Sequence, residues 1–350
     1  ERLAVTIVVV DWHVVLKEAE RVVFLDFLNR ATGGVVVEIE CFASESADPD
    51  ALFRTMYGLK LKHLSQEELD EIGHRVDYYA RCAEGSEVDS KNSVTVGGFR
   101  FPWKAKKKHT TYFFDLYECV RCFPQKLRFS YLMGDVAWDL PTPTFAKTRP
   151  ITQGKSNTVI LPLNKVRHFR FINDTRSFRE KRDMIVFRNV VRKQPHRELF
   201  LEKYINHPMV DAGQINRDTK NPRFVKPYIP MEDHLDFKFI ATIEGNDVAT
   251  NLKWVMSSNS VAVMPRPRIE SWFMEGKLIP DYHYIEIKPD YSDLIEKLEF
   301  YIANPEKAEA IIRHAHEYVD RFRDPDCELL IARLTAGRYF RLTGQLQLHP

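Results

Sequence analysis

The sequence predicts an α/β protein, with parallel sheets covered by helices and the chain divided between two domains. Short apolar, β-branched runs such as residues 4–10 (AVTIVVV) and 237–243 (FKFIATI) alternate with longer stretches of helical periodicity. The 350 residues exceed what one core ordinarily serves, at ~100–200 residues per domain. A segment rich in proline, residues 141–165, separates two such alternating halves. We therefore expect Rossmann-like domains over residues 1–150 and 151–350, facing across a cleft. Ligands in such sheets bind beyond the carboxyl ends of the strands.

Composition narrows the field. Lys and Arg number 51 against 49 Asp and Glu, a net charge of +2, which argues against a dedicated nucleic-acid binder. Apolar residues make up 44% and charged residues 29%, an ordinary globular balance. No run approaches the ~18 apolar residues of a membrane span. The five cysteines are odd in number and scattered, so a disulfide framework is not expected, and a cytoplasmic location fits. Cys119 and Cys122 form a CxxC, but no second pair completes a zinc site, and inward packing is the simpler reading.

Along the chain, residues 4–10 and 35–39 read as strands. Residues 65–81 read as a helix opened by a capping box, Ser65 with Glu68. Residues 94–101, with Gly97-Gly98, look like a hairpin, and 127–133 is a strand ended by Gly134-Asp135. Beyond the boundary, strands are expected at 183–187, 237–243, 260–264 and 284–287. Helices are expected at 196–205, 248–256 and 293–303, the last with Leu294, Leu298 and Ile302 on one face. Asn304-Pro305 opens a further helix with an N-cap residue and Pro at the first position.

Residues 237–254 (FKFIATIEGNDVATNLKW) are the richest in chemistry. An apolar strand runs into Glu244-Gly245-Asn246-Asp247, and a helix start just after it would offer unpaired N–H groups to a phosphate, with Gly245 permitting close approach. A plain capped turn explains the spacing equally well. Neither GxGxxG nor GxxxxGK[ST] occurs, so the common dinucleotide and P-loop readings fail.

From this stretch onward the sequence resembles glycosyltransferase family 90, in its bacterial branch. That family includes lipopolysaccharide-modifying transferases and protein O-glucosyltransferases. The resemblance rests on Glu244-Gly245-Asn246-Asp247, Asn251-Leu252-Lys253-Trp254, Ser257-Ser258-Asn259-Ser260-Val261, Glu270-Ser271-Trp272, His283-Tyr284 and Ser292-Asp293-Leu294. Upstream, Phe187-Arg188, Arg197 and the LMGDVAW of residues 132–138 join it. Asn189, where many relatives have Gly, and Asn251, where the eukaryotic branch has Arg, favour the bacterial side.

The resemblance implies a GT-B architecture and a metal-independent, inverting transfer from a UDP-sugar. No cofactor is expected. Asp135 becomes the candidate general base, with Asp139 as its main rival and Asp11 and His13 as weaker ones. Arg188 and Arg197 are candidates for the donor diphosphate, with Gly245, Asn246, Asp247, Asn251 and Lys253 beside it. Glu270 is a candidate for the sugar or ribose hydroxyls. Asp290 and Asp293 read as caps, and Tyr284 as a packed residue.

The basic stretch Lys104 to Lys108, beside Trp103, is a candidate for peripheral contact with an anionic membrane face, although such runs are usually solvated. The acceptor expected is a lipopolysaccharide or other surface glycan rather than a protein, since neither a secretory signal nor a cysteine framework is evident. A GT-A enzyme would need a metal-binding DxD at a strand end. Asp48-Pro49-Asp50 and Asp324-Pro325-Asp326 have that spacing but look like helix starts. A protein O-glycosyltransferase and a non-catalytic sugar- or nucleotide-binding protein remain the other readings.

Overall fold

The computed structural model describes residues 8–10, 40–42, 64–101 and 109–346. The chain divides into two compact units, Glu1–Leu64 and Ser65–Pro350. In the first, β1 (Val8–Val10) and β2 (Glu40–Phe42) pair in parallel, Val8 with Glu40 and Val10 with Phe42. Asp11, His13, the strand expected at 35–39, the Asp48-Pro49-Asp50 triplet and the Lys104 to Lys108 stretch lie outside the described residues.

The second unit opens with α1 (Gln66–Tyr79), and its capping box forms as expected. The Ser65 side chain accepts the Glu68 amide while Glu68 accepts the Ser65 amide. Next come β3 (Ser93–Thr95), α2 (Thr110–Val120), β4 (Arg128–Leu132), β5 (Thr144–Ala146), β6 (Thr148–Pro150) and β7 (Thr158–Ile160). The expected hairpin at 94–101 does not form: β3 pairs antiparallel with the distant β4, and Gly97-Gly98 serve a local turn. The proline-rich 141–165 segment is not an irregular linker either, since it contributes three strands. Their apolar positions (Phe145, Ala146, Val159, Ile160) are buried, but each run is too short to show periodicity. The resulting sheet has the order β3-β4-β5-β7, parallel from β4 onward.

A second sheet, of five strands all parallel, has the order β13-β11-β10-β8-β9. It comprises β8 (Arg182–Asn189), β9 (Val210–Gln214), β10 (Phe237–Ala241), β11 (Val261–Met264) and β13 (Ile285–Glu286). Of its inner strands, β10 and β11 are buried at every position, as expected of a sheet covered on both faces, while β8 begins exposed at Arg182 and Asp183. Phe187, Phe200, Phe239, Val263, Leu294 and Ile311 share its core. The connecting helices are α3 (Pro195–Tyr204), α4 (Leu252–Met256), α5 (Leu294–Ala303) and α6 (Pro305–Asp320). The helix expected from residue 248 starts only at Leu252, because the chain makes an irregular turn through residues 242–250 first.

The sheets are joined by a short antiparallel ladder between β6 and β12 (Ile269–Ser271), which pairs Arg149 with Glu270. The residue expected to end the first domain, Pro150, thus belongs to a strand that pairs across residue 269. The last helix, α7 (Pro325–Leu342), is capped by Asp324, whose side chain accepts the Asp326 and Cys327 amides. It returns to the four-stranded sheet, where Tyr339 accepts the Ser130 amide at 3.2 Å, donates to the Pro143 carbonyl at 3.1 Å and packs on Phe145. None of the described helices is long and apolar enough to cross a membrane.

Candidate active site

Gly134 ends β4 with φ +122°, a conformation that side chains rarely tolerate, and so turns Asp135 out of the strand. The Asp135 side chain is 39% exposed and held by two donors. Lys147 Nζ donates to its Oδ1 at 2.9 Å, and Asn246 Nδ2 donates to its Oδ2 at 3.2 Å. Burial raises the carboxyl's proton affinity, but Lys147, Asn246 and Arg167 outweigh it and hold the pKa below the usual aspartate value. Asp135 is therefore ionised at neutral pH, with lone pairs left over on both oxygens.

Lys147, between β5 and β6, is only 3% exposed and sits between two carboxylates. Its ammonium lies 2.7 Å from Asp247 Oδ2 as well as 2.9 Å from Asp135, and 5.8 Å from the Tyr112 ring centre. Asp247 is buried, and that burial raises its pKa against the pull of Lys147. Thr148 Oγ1 lies 3.1 Å from Asp247 Oδ2 and accepts the Val136 amide. The loop after β4 and the loop after β10 are therefore tied together by charge.

Behind the β10 loop stands Arg197, on the first turn of α3. Its guanidinium donates to the carbonyls of Glu244 (2.8 Å), Val190 (2.9 Å) and Ile243 (2.7 Å). Among the described residues no carboxylate pairs with it, and burial lowers its pKa to about 10. It remains a cation, buried under Gly245. A Cβ on Gly245 would stand 3.1 Å from Arg197 Nη2, so any other residue there would press on the guanidinium. His196 Nε2 also meets the Glu244 carbonyl, and Gln194 donates to Asn246 at 2.6 Å. The Glu244 carboxylate accepts the amides of Arg268 and Ile269, fixing the turn after β11 to the same loop.

The structure thus gathers Asp135, Asn246, Asp247, Gly245 and Arg197. Other expected contacts are closed within the protein. Arg188 is held by both oxygens of Asp211 at 2.8 Å on the neighbouring strand β9, with Lys226 on the same carboxylate. Lys253 is fully buried against Glu275 at 2.6 Å. Glu270 is buried on Arg149 at 2.8 Å, with Tyr78 and Arg81 also on its carboxylate. Asn251 donates to the Ala241 carbonyl. Asp139 takes the hydroxyls of Ser156 (2.6 Å) and Thr158 (3.0 Å), closing the loop before β7. The exposed Arg192 pairs with Asp218.

Lys147, His196, Gln194 and Arg268 escaped the sequence reading. A signal existed for Lys147: a lysine within TFAKTRP, where an otherwise buried strand needs a reason to hold a charge. Cys119 is buried inward, as expected, and its thiol pKa is pushed up to about 12 by burial. Cys82 and Cys119 are not in a disulfide, and among the described residues no group of three or more His, Cys, Asp or Glu is placed to hold a metal ion.

Residues 129–325 match the family Glycosyl transferase family 90, a span from β4 to the first residue of α7. Over 237 residues the chain is 40% identical to the O-glucosyltransferase LpsA of Dichelobacter nodosus, covering 68% of this chain and 74% of that protein. It is also 29% identical over 133 residues to uncharacterized protein 179R of Invertebrate iridescent virus 6, covering 36% of this chain but 10% of that protein. Asp135, Lys147, Arg197 and Asp247 all fall in the family span, and the chain belongs to glycosyl transferase family 90.

Proposed function

We propose that this glycosyltransferase moves a sugar from a UDP-sugar to a hydroxyl of a lipopolysaccharide or other surface glycan, with inversion and without a metal. The observation that carries the reading is Asp135: ionised, partly exposed and held by Lys147 between β5 and β6 and by Asn246 of the loop after β10. In the reaction the acceptor oxygen forms a bond to the anomeric carbon as its proton passes to Asp135. The bond from that carbon to the diphosphate breaks, and its electron pair leaves with UDP. The buried Arg197 charge under Gly245 favours the leaving diphosphate through the loop, while Asn246 orients the base. The two sheets then act as the halves of a GT-B enzyme, with the donor over the five-stranded sheet. Similarity to an O-glucosyltransferase makes glucose the first sugar to test. Lys104 to Lys108 would meet an anionic membrane face on the cytoplasmic side.

Calorimetric titration with UDP, GDP and CMP in EDTA tests the donor. Selective UDP binding without metal supports the reading. Binding that needs Mn²⁺ moves the protein to metal-dependent transfer, and no nucleotide binding would overturn the donor assignment. UDP-glucose turnover by wild type and Asp135→Asn then tests the base.

A further inference from the structure

At Asp135 the mechanism just given asks only for an oriented base, yet the structure surrounds that base with more charge than a base needs. Lys147 alone would hold Asp135 ionised, at the expense of its basicity. Asp247 is the unexplained member: a second carboxylate on the same ammonium, buried where Asp135 is exposed. We propose that Lys147 and Asp247 form a charge-balanced clasp that positions the Asp135 carboxylate and sets its readiness to accept a proton. The inference rests on Asp135 being the base.

The balance is simple. Before the proton arrives, the cluster holds two carboxylates and one ammonium. After Asp135 takes the acceptor's proton, Lys147 and Asp247 remain as a neutral pair. Without Asp247 the same step would strand an uncompensated ammonium that is itself only 3% exposed, and such stranded charges are costly. Asp247 also cancels part of the Lys147 field at Asp135, so the carboxylate is fixed by a strong hydrogen bond without becoming too weak a base. Thr148 steadies the clasp from below Asp247.

Other charges face the cluster from every side. Tyr112 comes from α2, Arg167 and His168 from the helical turn Lys165–His168, and Arg197 from α3. Among the described residues, only Lys147 is in ion-pair contact with both carboxylates. Its role is that of a positioning residue, because it acts on the reaction through Asp135.

The experiment is the pH profile of kcat/KM for UDP-glucose turnover in wild type, Lys147→Met, Lys147→Arg and Asp247→Asn, with UDP affinity measured alongside. The acid limb reports the free enzyme's base. Loss of the ammonium raises its midpoint by about one pH unit, and loss of Asp247 lowers it by a similar amount. The two shifts are opposite in sign, with kcat reduced in both and UDP affinity within about twofold, whereas a purely structural role moves both variants alike. Lys147→Arg restores most of the wild-type profile. Shifts in the same direction, or none, overturn the inference. If Lys147→Met does not fold, Asp247→Asn and Lys147→Arg carry the test alone. Asp135→Asn separates the layers: if it keeps the wild-type profile the base assignment fails, and if it is inactive while the clasp variants do not diverge, only the clasp fails.

Discussion

Lys147 and Arg149 stand two residues apart on one stretch of chain, and each meets a carboxylate from beyond residue 245, yet they have opposite fates. Arg149 is fully buried. Its Nε donates to Glu270, and its remaining nitrogens reach the carbonyls of Tyr78, Tyr79 and Thr158 at 2.6 to 3.2 Å. Each of the three guanidinium nitrogens donates, and the ion pair seals the β6–β12 ladder. Lys147 has the same neighbours in kind, but one of its two carboxylates, Asp135, opens to solvent. A charge network that is closed on all sides can only hold the fold together. One that leaves a carboxylate with spare lone pairs at the surface can pass a proton.

The sharpest way to break this comparison is to remove one charge from each network. Asp135→Asn should cost about 10²–10⁴ in kcat with the melting temperature nearly unchanged, since general-base removal acts on the reaction alone. A comparable fall in stability would show Asp135 to be structural as well. On the closed side, Arg149→Met should destabilise by up to about 3–5 kcal/mol in urea unfolding, because the buried Glu270 keeps only Tyr78 and the longer Arg81 contact at 3.4 Å. The double variant Arg149→Met/Glu270→Leu should recover much of that loss. If it does not, the pair contributes more than mutual compensation.

His168 gives an intermediate test. It is buried with neither ring nitrogen bonded among the described residues. Burial, together with Lys253, Lys147 and Arg167, lowers its pKa from 6.5 to about 2. The unfolded chain therefore takes up a proton below pH 6.5 that the folded one refuses. The stability that the neutral ring provides is complete above that pH and falls as pH drops toward 2, by at most about 1.4 kcal/mol per unit. Urea midpoints between pH 7 and pH 5 should fall less steeply in His168→Leu than in wild type. Parallel slopes would show that the ring is already charged or hydrated. The smallest effect belongs to the exposed Arg192–Asp218 pair: Arg192→Ala should leave the urea midpoint and the UDP affinity unaltered within error.

Elements with a long period or an explicit terminal signal were legible in the sequence. The Ser65–Glu68 box, the apolar stretch at 237–243 and the Asn304-Pro305 start each specify local structure by themselves. The three strands between residues 144 and 160 were not, because three-residue strands carry no measurable alternation and their prolines read as punctuation. The delayed start of α4 was hidden for a related reason, since Val248 and Ala249 suit a helix but are buried in the turn before it. At the site, Asp135, Gly245 and Asn246 could be named from motif and position. Which cations were available could not. Arg188 and Lys253 look the same in sequence as Arg197, and only the fold shows that Asp211 and Glu275 have claimed them. The family resemblance, read from residues 127–322, agrees closely with the span that matches glycosyl transferase family 90.

The return of α7 to the four-stranded sheet has a consequence for the order in which the chain matures. Phe129 and Phe145 leave the ribosome long before Tyr339 and Phe340, the side chains that cover them. Arg149 likewise waits for Glu270, and Arg75 for Glu328. The early sheet is thus translated without its lid, and non-local closure of this kind is slow. A chain stopped before Pro325 should expose that aromatic face and bind a hydrophobic dye, whereas the five-stranded sheet, assembled from residues 182–312, should already resist protease. Equal protection of both sheets in the truncated chain would show that the early one closes without its last helix.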